Sequence, residues 1–257
     1  MKILFFCSNR IGAINALRYM STCEIELIGC VCEEAFPNMI SNFCHEKNIH
    51  FYRISDIYKM INNKCLPEID YGISYLYSRI IKESIIQQLN GKIINFHPAP
   101  IQEHKGIAAC CFCLLHGYTD WAVTAHYLTK EVDQGDIILQ RWFTVGNILT
   151  SIELEAKEQK ESLLLLQDVC SLLLSGKELP REKQNPESGN YYSKIDLQHD
   201  KEITLNDTSI EIDKKIMALW FPPFHGASIV IDGKQYTLVN DELLKKIACI
   251  YQKANMM

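Results

Sequence analysis

Between residues 2 and 97, short apolar runs alternate with amphipathic stretches, and that alternation leaves few folds open. Residues 2–7, 27–32, 49–54, 70–76 and 93–96 each read as a short buried strand. Between them, 13–20, 36–47 and 82–89 carry apolar residues at helical spacing. Strands alternating with helices imply a sheet whose faces are both covered. The predicted class is α/β: a Rossmann-like, mostly parallel sheet with helices on both faces. In such sheets ligands sit beyond the carboxyl ends of the strands, which is where Ser8, Arg79, Asn95 and His97 fall.

Further along, 107–116 predicts a helix and 122–128 a strand, with Val, Ala and Tyr inward and Thr124 and His126 outward. Residues 137–140 predict another strand and 150–174 a long helix. The run 175–189, rich in Lys, Glu and Pro, predicts a solvated connection, with a domain boundary near residue 180. The division is then an N-terminal domain over 1–180 and a small C-terminal region over 181–257. In that region 228–231 and 235–239 flank Asp232-Gly233, a hairpin signal, and 241–257 predicts a helix.

The 257 residues carry 26 Lys and Arg against 31 Asp and Glu, a net charge of −5 with no basic block. That balance argues against nucleic acid as partner, because affinity for a phosphate backbone needs clustered cations. The 11 cysteines show no paired CxxC units, so no metal is expected. An odd count without an export signal reads as reduced core filler in a cytoplasmic protein. No apolar run approaches the roughly 18 residues of a membrane span, so no membrane partner is expected.

Chemistry concentrates in Asn95-Phe96-His97-Pro98-Ala99-Pro100, closed by Gly106, and in Val132-Asp133-Gln134-Gly135-Asp136. On an extended backbone Asn95 and His97 point to one face. A carboxamide donates hydrogen bonds, an imidazole moves protons near neutral pH, and the Asp133 carboxylate would orient it. Together these suit attack on a carbonyl with the oxyanion held by the amide. A plain strand-ending turn, with Asn as a local cap, explains the same residues. The first turn, Ser8-Asn9-Arg10-Ile11-Gly12, lacks a dinucleotide fingerprint; it could meet a phosphate at the helix start or be an ordinary turn. Trp220, Phe221 and Phe224 beside a diproline could pack internally or stack on a nucleobase.

The series Asn95-x-His97-Pro98-Ala99-Pro100, His104-Lys105-Gly106 and Asp133-x-Gly135 resembles the signature of the 10-formyltetrahydrofolate-dependent formyltransferases. Those include glycinamide ribonucleotide transformylase, methionyl-tRNA formyltransferase and the sugar-nucleotide N-formyltransferases. The resemblance implies Asn95, His97 and Asp133 as catalytic residues. It implies that Arg79, Ile80, Ile81, Leu128, Lys130 and Val132 hold the folate cosubstrate, with no metal. Ser8, Asn9, Arg10, Tyr77, Lys105, Trp220, Phe221 and Phe224 would then face the acceptor. Ala99 departs from the Ser of many members, and His104 from a common aromatic.

Within that resemblance the segment 220–227 looks like the sugar-nucleotide branch, and the non-basic tail gives tRNA little electrostatic footing. The expected substrate is a nucleotide-linked amino sugar for lipopolysaccharide O-antigen. A dTDP-linked 3- or 4-amino-dideoxyhexose such as dTDP-4-amino-4,6-dideoxyglucose is preferred, with GDP-perosamine as the alternative. The competing readings are a methionyl-tRNA-type enzyme lacking its full tail, a folate-dependent deformylase and a non-catalytic nucleotide-sugar binder. The family's deformylases carry an N-terminal regulatory module, whereas here a strand begins at Lys2. The oligomeric state is open, although the hairpin near Asp232 could give a second copy an edge to pair with as a homodimer.

Overall fold

The computed structural model describes residues 1–185 and 187–254; the last three positions of the helix expected over 241–257 lie outside the described residues. The chain opens β1 (Lys2–Cys7), α1 (Ile11–Met20), β2 (Glu26–Val31), α2 (Met39–Glu46), β3 (Phe51–Tyr52), α3 (Ile54–Asn62), β4 (Tyr71–Tyr75), α4 (Glu83–Gln88) and β5 (Ile93–His97). There follow β6 (His104–Gly106), α5 (Ala109–His116), β7 (Asp120–Tyr127), β8 (Ile137–Thr144) and α6 (Ser151–Leu174). The remainder is β9 (Asn190–Tyr192), α7 (Lys194–Lys201), α8 (Ser209–Ala218), β10 (Ser228–Ile231), β11 (Lys234–Thr237) and α9 (Asp241–Ala254). No helix among the described residues is long and apolar enough to cross a membrane.

Two compact units emerge, neither continuous in sequence. The first comprises Met1–Lys105, Ala122–Trp142 and Glu158–Gly189; the second comprises Gly106–Trp121, Phe143–Lys157 and Asn190–Met257. The first is framed by a seven-stranded sheet of order β3-β2-β1-β4-β5-β7-β8. β1 pairs in parallel with both β2 and β4, and β4 with β5, while β7 runs antiparallel to β5. The α/β class with a mostly parallel sheet is therefore as expected. Strand order reverses at β1, so a crevice opens between β1 and β4 at their carboxyl ends. The loops after those strands meet there, where Ser78 N–H donates to Ser8 Oγ at 3.2 Å.

Burial explains the strands. Ile3, Leu4, Phe5 and Phe6 of β1 are all buried, on both faces of the sheet. Leu4 and Phe6 pack with Ile57, Ile85, Ile86, Leu89 and Ile93 in one cluster, where each large side chain contributes about 1.5–3 kcal/mol. Two expectations change here. The predicted strand over 49–54 shortens to Phe51–Tyr52, and Ile54 opens α3, absent from the sequence reading. Its signal is Ile54, Ile57, Tyr58 and Ile61 at helical spacing, entered where Arg53 N–H donates to the Asp56 carboxylate at 3.0 Å. Likewise the helix expected over 36–47 begins at Met39, because Asn38 and Ser41 close a capping box.

In the second unit β10 and β11 form the predicted hairpin, with Asp232 and Gly233 both at positive φ as a tight turn of this kind requires. The run 175–189 is not simply solvated. Glu182 exchanges backbone hydrogen bonds with Ile137, and Leu179 and Gln184 are buried. The cysteines are also mixed: Cys65 and Cys249 are exposed and Cys23 half-buried, while the other eight are buried.

Candidate active site

Antiparallel pairing of β5 with β7 places Asn95 opposite His126 and His97 opposite Thr124, so all four share one face. Thr124 and His126 are consequently buried, not outward-facing as their alternation suggests, because β7 lies between β5 and β8 in the sheet. His126 Nδ1 lies 2.9 Å from the Tyr127 carbonyl, which can only accept, so Nδ1 carries the proton. That leaves a lone pair on Nε2, 3.0 Å from Asn95 Nδ2. The Asn95 amide thus donates to His126, and its nitrogen end is fixed toward the ring. Burial pushes the His126 imidazole down to about 4, with the Asp133 carboxylate opposing and His97 adding to the shift. The ring is neutral at pH 7.

His97 is oriented by a different carbonyl. Its Nε2–H donates to His104 O at 3.0 Å, so in the neutral ring Nδ1 is the basic nitrogen. Nδ1 faces Asp133 Oδ2 at 3.7 Å, while Asp133 Oδ1 lies 3.8 Å from His126 Nε2. One carboxylate therefore stands between two imidazoles set edge to face, 6.5 Å apart. Among the described residues no cluster of His, Cys, Asp or Glu is arranged to hold a metal ion.

The spacing Asp133-x-Gly135 has a steric cause. Asp133 sits at φ 56, a left-handed conformation that Asp tolerates better than most residues. A Cβ on Gly135 would overlap the Tyr127 carbonyl oxygen, so only glycine lets the loop lie against β7. Thr124 holds the turn on the other side. Its hydroxyl donates to Ala99 O at 2.7 Å and accepts from Gln140 Nε2 at 3.0 Å.

A cavity of about 160 Å³ adjoins this cluster. Arg79, Ile80, Ile81, Leu128, Lys130 and Val132 all line it, together with Asn95, His126 and Asp133. Tyr77, assigned from sequence to the acceptor side, lines the same cavity; its hydroxyl is buried with no hydrogen-bond partner among the described residues. Ile80 is 77% exposed, whereas Ile81 also packs into the core beneath the loop. The structure thus brings Asn95, His97 and Asp133 together with all six residues expected at the folate.

The acceptor-side residues are more dispersed. Ser8 is buried against Ser78, Asn9 Oδ1 accepts from Met39 N–H at 3.0 Å, and Arg10 stands just before α1 without a side-chain capping bond. Lys105 is buried and its Nζ donates to Ser188 O at 2.8 Å. Burial lowers its ammonium below the ordinary value, against the pull of Asp133. Trp220, Phe221 and Phe224 belong to the second unit, where Phe221 and Phe224 stack at 6.2 Å. That unit also holds a cavity of about 550 Å³ lined by Leu114, Tyr118, Val145 and Met217 among others, and none of the predicted residues. Missing from the sequence assignment is His126, read there as pointing outward from its strand; only the β5–β7 register shows its place.

Residues 57–169 match the family model described as formyl transferase. GDP-perosamine N-formyltransferase of Brucella melitensis biotype 1 is 25% identical over 178 residues, covering 69% of this chain and 67% of that protein. Methionyl-tRNA formyltransferase of Syntrophomonas wolfei subsp. wolfei is 25% identical over 246 residues, covering 91% of this chain and 76% of that protein. The solved N-formyltransferase of Helicobacter canadensis, in complex with folinic acid and dTDP-3-aminofucose, superposes with a TM-score of 0.72 at 20% identity, over 91% of this chain and 85% of that one. The matched span takes in α4, both motif segments and strands β4, β5, β7 and β8, so over residues 57–169 this chain is similar to the formyl transferase family.

Proposed function

We propose that this protein transfers a formyl group from 10-formyltetrahydrofolate to the amine of a nucleotide-linked amino sugar. The observation that carries the reading is the Asn95–His126–Asp133–His97 cluster beside a cavity lined by the 79–81 and 128–133 segments. That wall suits a flat heterocycle with donor and acceptor edges: it offers main-chain groups from two irregular segments and the unmet Tyr77 hydroxyl.

The acceptor amine attacks the formyl carbon, forming a new C–N bond as the bond to folate N10 breaks. Asn95, its nitrogen end set by His126, has a second N–H for the developing oxyanion. His97 Nδ1 takes the amine proton, and the Asp133 carboxylate stabilises the imidazolium until the proton passes to N10. The preferred acceptor is a dTDP-linked 3- or 4-amino-dideoxyhexose, in line with the dTDP-3-aminofucose bound by the Helicobacter protein; GDP-perosamine, named for the Brucella relative, is the alternative. A tRNA-linked methionine is the second reading, favoured by the 91% coverage against the Syntrophomonas relative. The net charge of −5 without a basic block weighs against it.

Purified protein incubated with 10-formyltetrahydrofolate and a panel of amino-sugar nucleotides, or with methionyl-tRNA, separates these. A mass gain of one CO on a sugar nucleotide supports the proposal. Transfer to methionyl-tRNA alone replaces it.

A further inference from the structure

The loop that carries Asp133 is held by an amide from well outside the motif. Gln184 is buried, and its Nε2 lies 2.6 Å from Gly135 O and 3.1 Å from Asp133 O. Both partners are carbonyl oxygens, which only accept, so the end facing them is the NH₂ with its two donors. Oε1 then points away, buried and with no hydrogen-bond partner among the described residues. An unmet buried acceptor is unfavourable, so the two carbonyls hold the amide in this orientation against that penalty.

The backbone bearing Gln184 is itself anchored. Ile137 N–H donates to Glu182 O at 2.7 Å and Glu182 N–H to Ile137 O at 2.9 Å. The Arg181 guanidinium lies 3.6 Å from the centre of the Tyr127 ring, and Lys105 Nζ ties down Ser188 O. The loop it grips needs holding. Asp133 adopts a left-handed backbone, and its carboxylate stands 3.7 and 3.8 Å from the two imidazoles, beyond hydrogen-bond length. The backbone that carries this carboxylate is the part that Gln184 holds.

Resting on the formyl-transfer reading, we propose that Gln184 is a positioning residue: its amide clamps the turn from Asp133 to Gly135 and so sets where the Asp133 carboxylate stands against His97 and His126. Gln184 touches no reacting atom. It acts through Asp133.

The test is Gln184→Met, which keeps the side chain's length and burial and removes both donors. The folded variant should show kcat reduced about 10- to 100-fold, KM for both substrates within about twofold, and displaced NMR resonances for the His97 imidazole. A purely structural role would lower the melting temperature and leave kcat and those resonances as in wild type; either of those two unchanged overturns the proposal. If the wild-type protein transfers no formyl group, the functional reading fails separately. The imidazole resonances, which need no turnover, then decide Gln184 alone: displacement supports it and constancy overturns it. Should Gln184→Met not fold, Gln184→Glu takes its place, since its carboxylate sets acceptors against two carbonyls at neutral pH. The same displacement of His97 is expected, and its absence overturns the clamp.

Discussion

His126 does its work by staying neutral. A proton on Nε2 would turn that nitrogen from acceptor to donor and reverse the Asn95 amide, withdrawing the N–H that we propose for the oxyanion. Burial keeps the folded-state value at about 4, whereas an exposed histidine titrates near 6.5. Between those values the unfolded chain binds a proton that the folded one refuses. Stability should therefore fall as pH drops from about 6.5 to about 4, by up to about 3 kcal/mol. Denaturant unfolding across that range should show the slope, and His126→Gln should lose this part of it; an unaltered slope would mean that the ring is not the group responsible. Asn95→Ala should fold normally and lose about 10²–10³ in rate, as oxyanion donors typically do. Steady-state kinetics on the variant checks this, and a wild-type rate would remove Asn95 from the chemistry.

At the scale of elements, the Asp133–Gly135 loop lies against β7 only because residue 135 has no side chain. Gly135→Ala must push the loop off the Tyr127 carbonyl, at about 3 kcal/mol if the strain is not relieved. A urea midpoint matching wild type would show that the loop is free to move. Local pattern made some elements legible: β1 coincides with its apolar run, and Asp232-Gly233 gives the β10–β11 turn. α3 stayed hidden because its first residue, Ile54, completes an apolar run that reads as strand. The burial of Thr124 and His126 was illegible for another reason. Their alternation follows the rule for a half-exposed strand, and only the sheet order puts β7 inside. Asn95, His97 and Asp133 could be named from their motif, but Gln184 lies in a Lys- and Glu-rich run with no local signal at all.

For the molecule as a whole, the sheet order explains why residues distant in sequence meet. β5 and β7 are neighbours although 22 residues separate His97 from Asp120, and the 128–133 loop leaves β7 beside the 77–81 loop that leaves β4. A reduced folate that binds in that cavity binds only the folded chain, so it should raise thermal stability by about 2.7 kcal/mol at a hundredfold excess over its Kd. Thermal unfolding with and without 5-formyltetrahydrofolate checks this, and no shift at saturating ligand would place the folate elsewhere. The most direct measurement follows formyl transfer from 10-formyltetrahydrofolate to a panel of nucleotide-linked amino sugars by mass spectrometry, using wild-type protein beside Asn95→Ala, His97→Ala and Asp133→Ala. Formylation of at least one sugar nucleotide by the wild type, with severe loss in all three folded variants, is the predicted result. No transfer to any member of the panel, or transfer undiminished by His97→Ala, would contradict it.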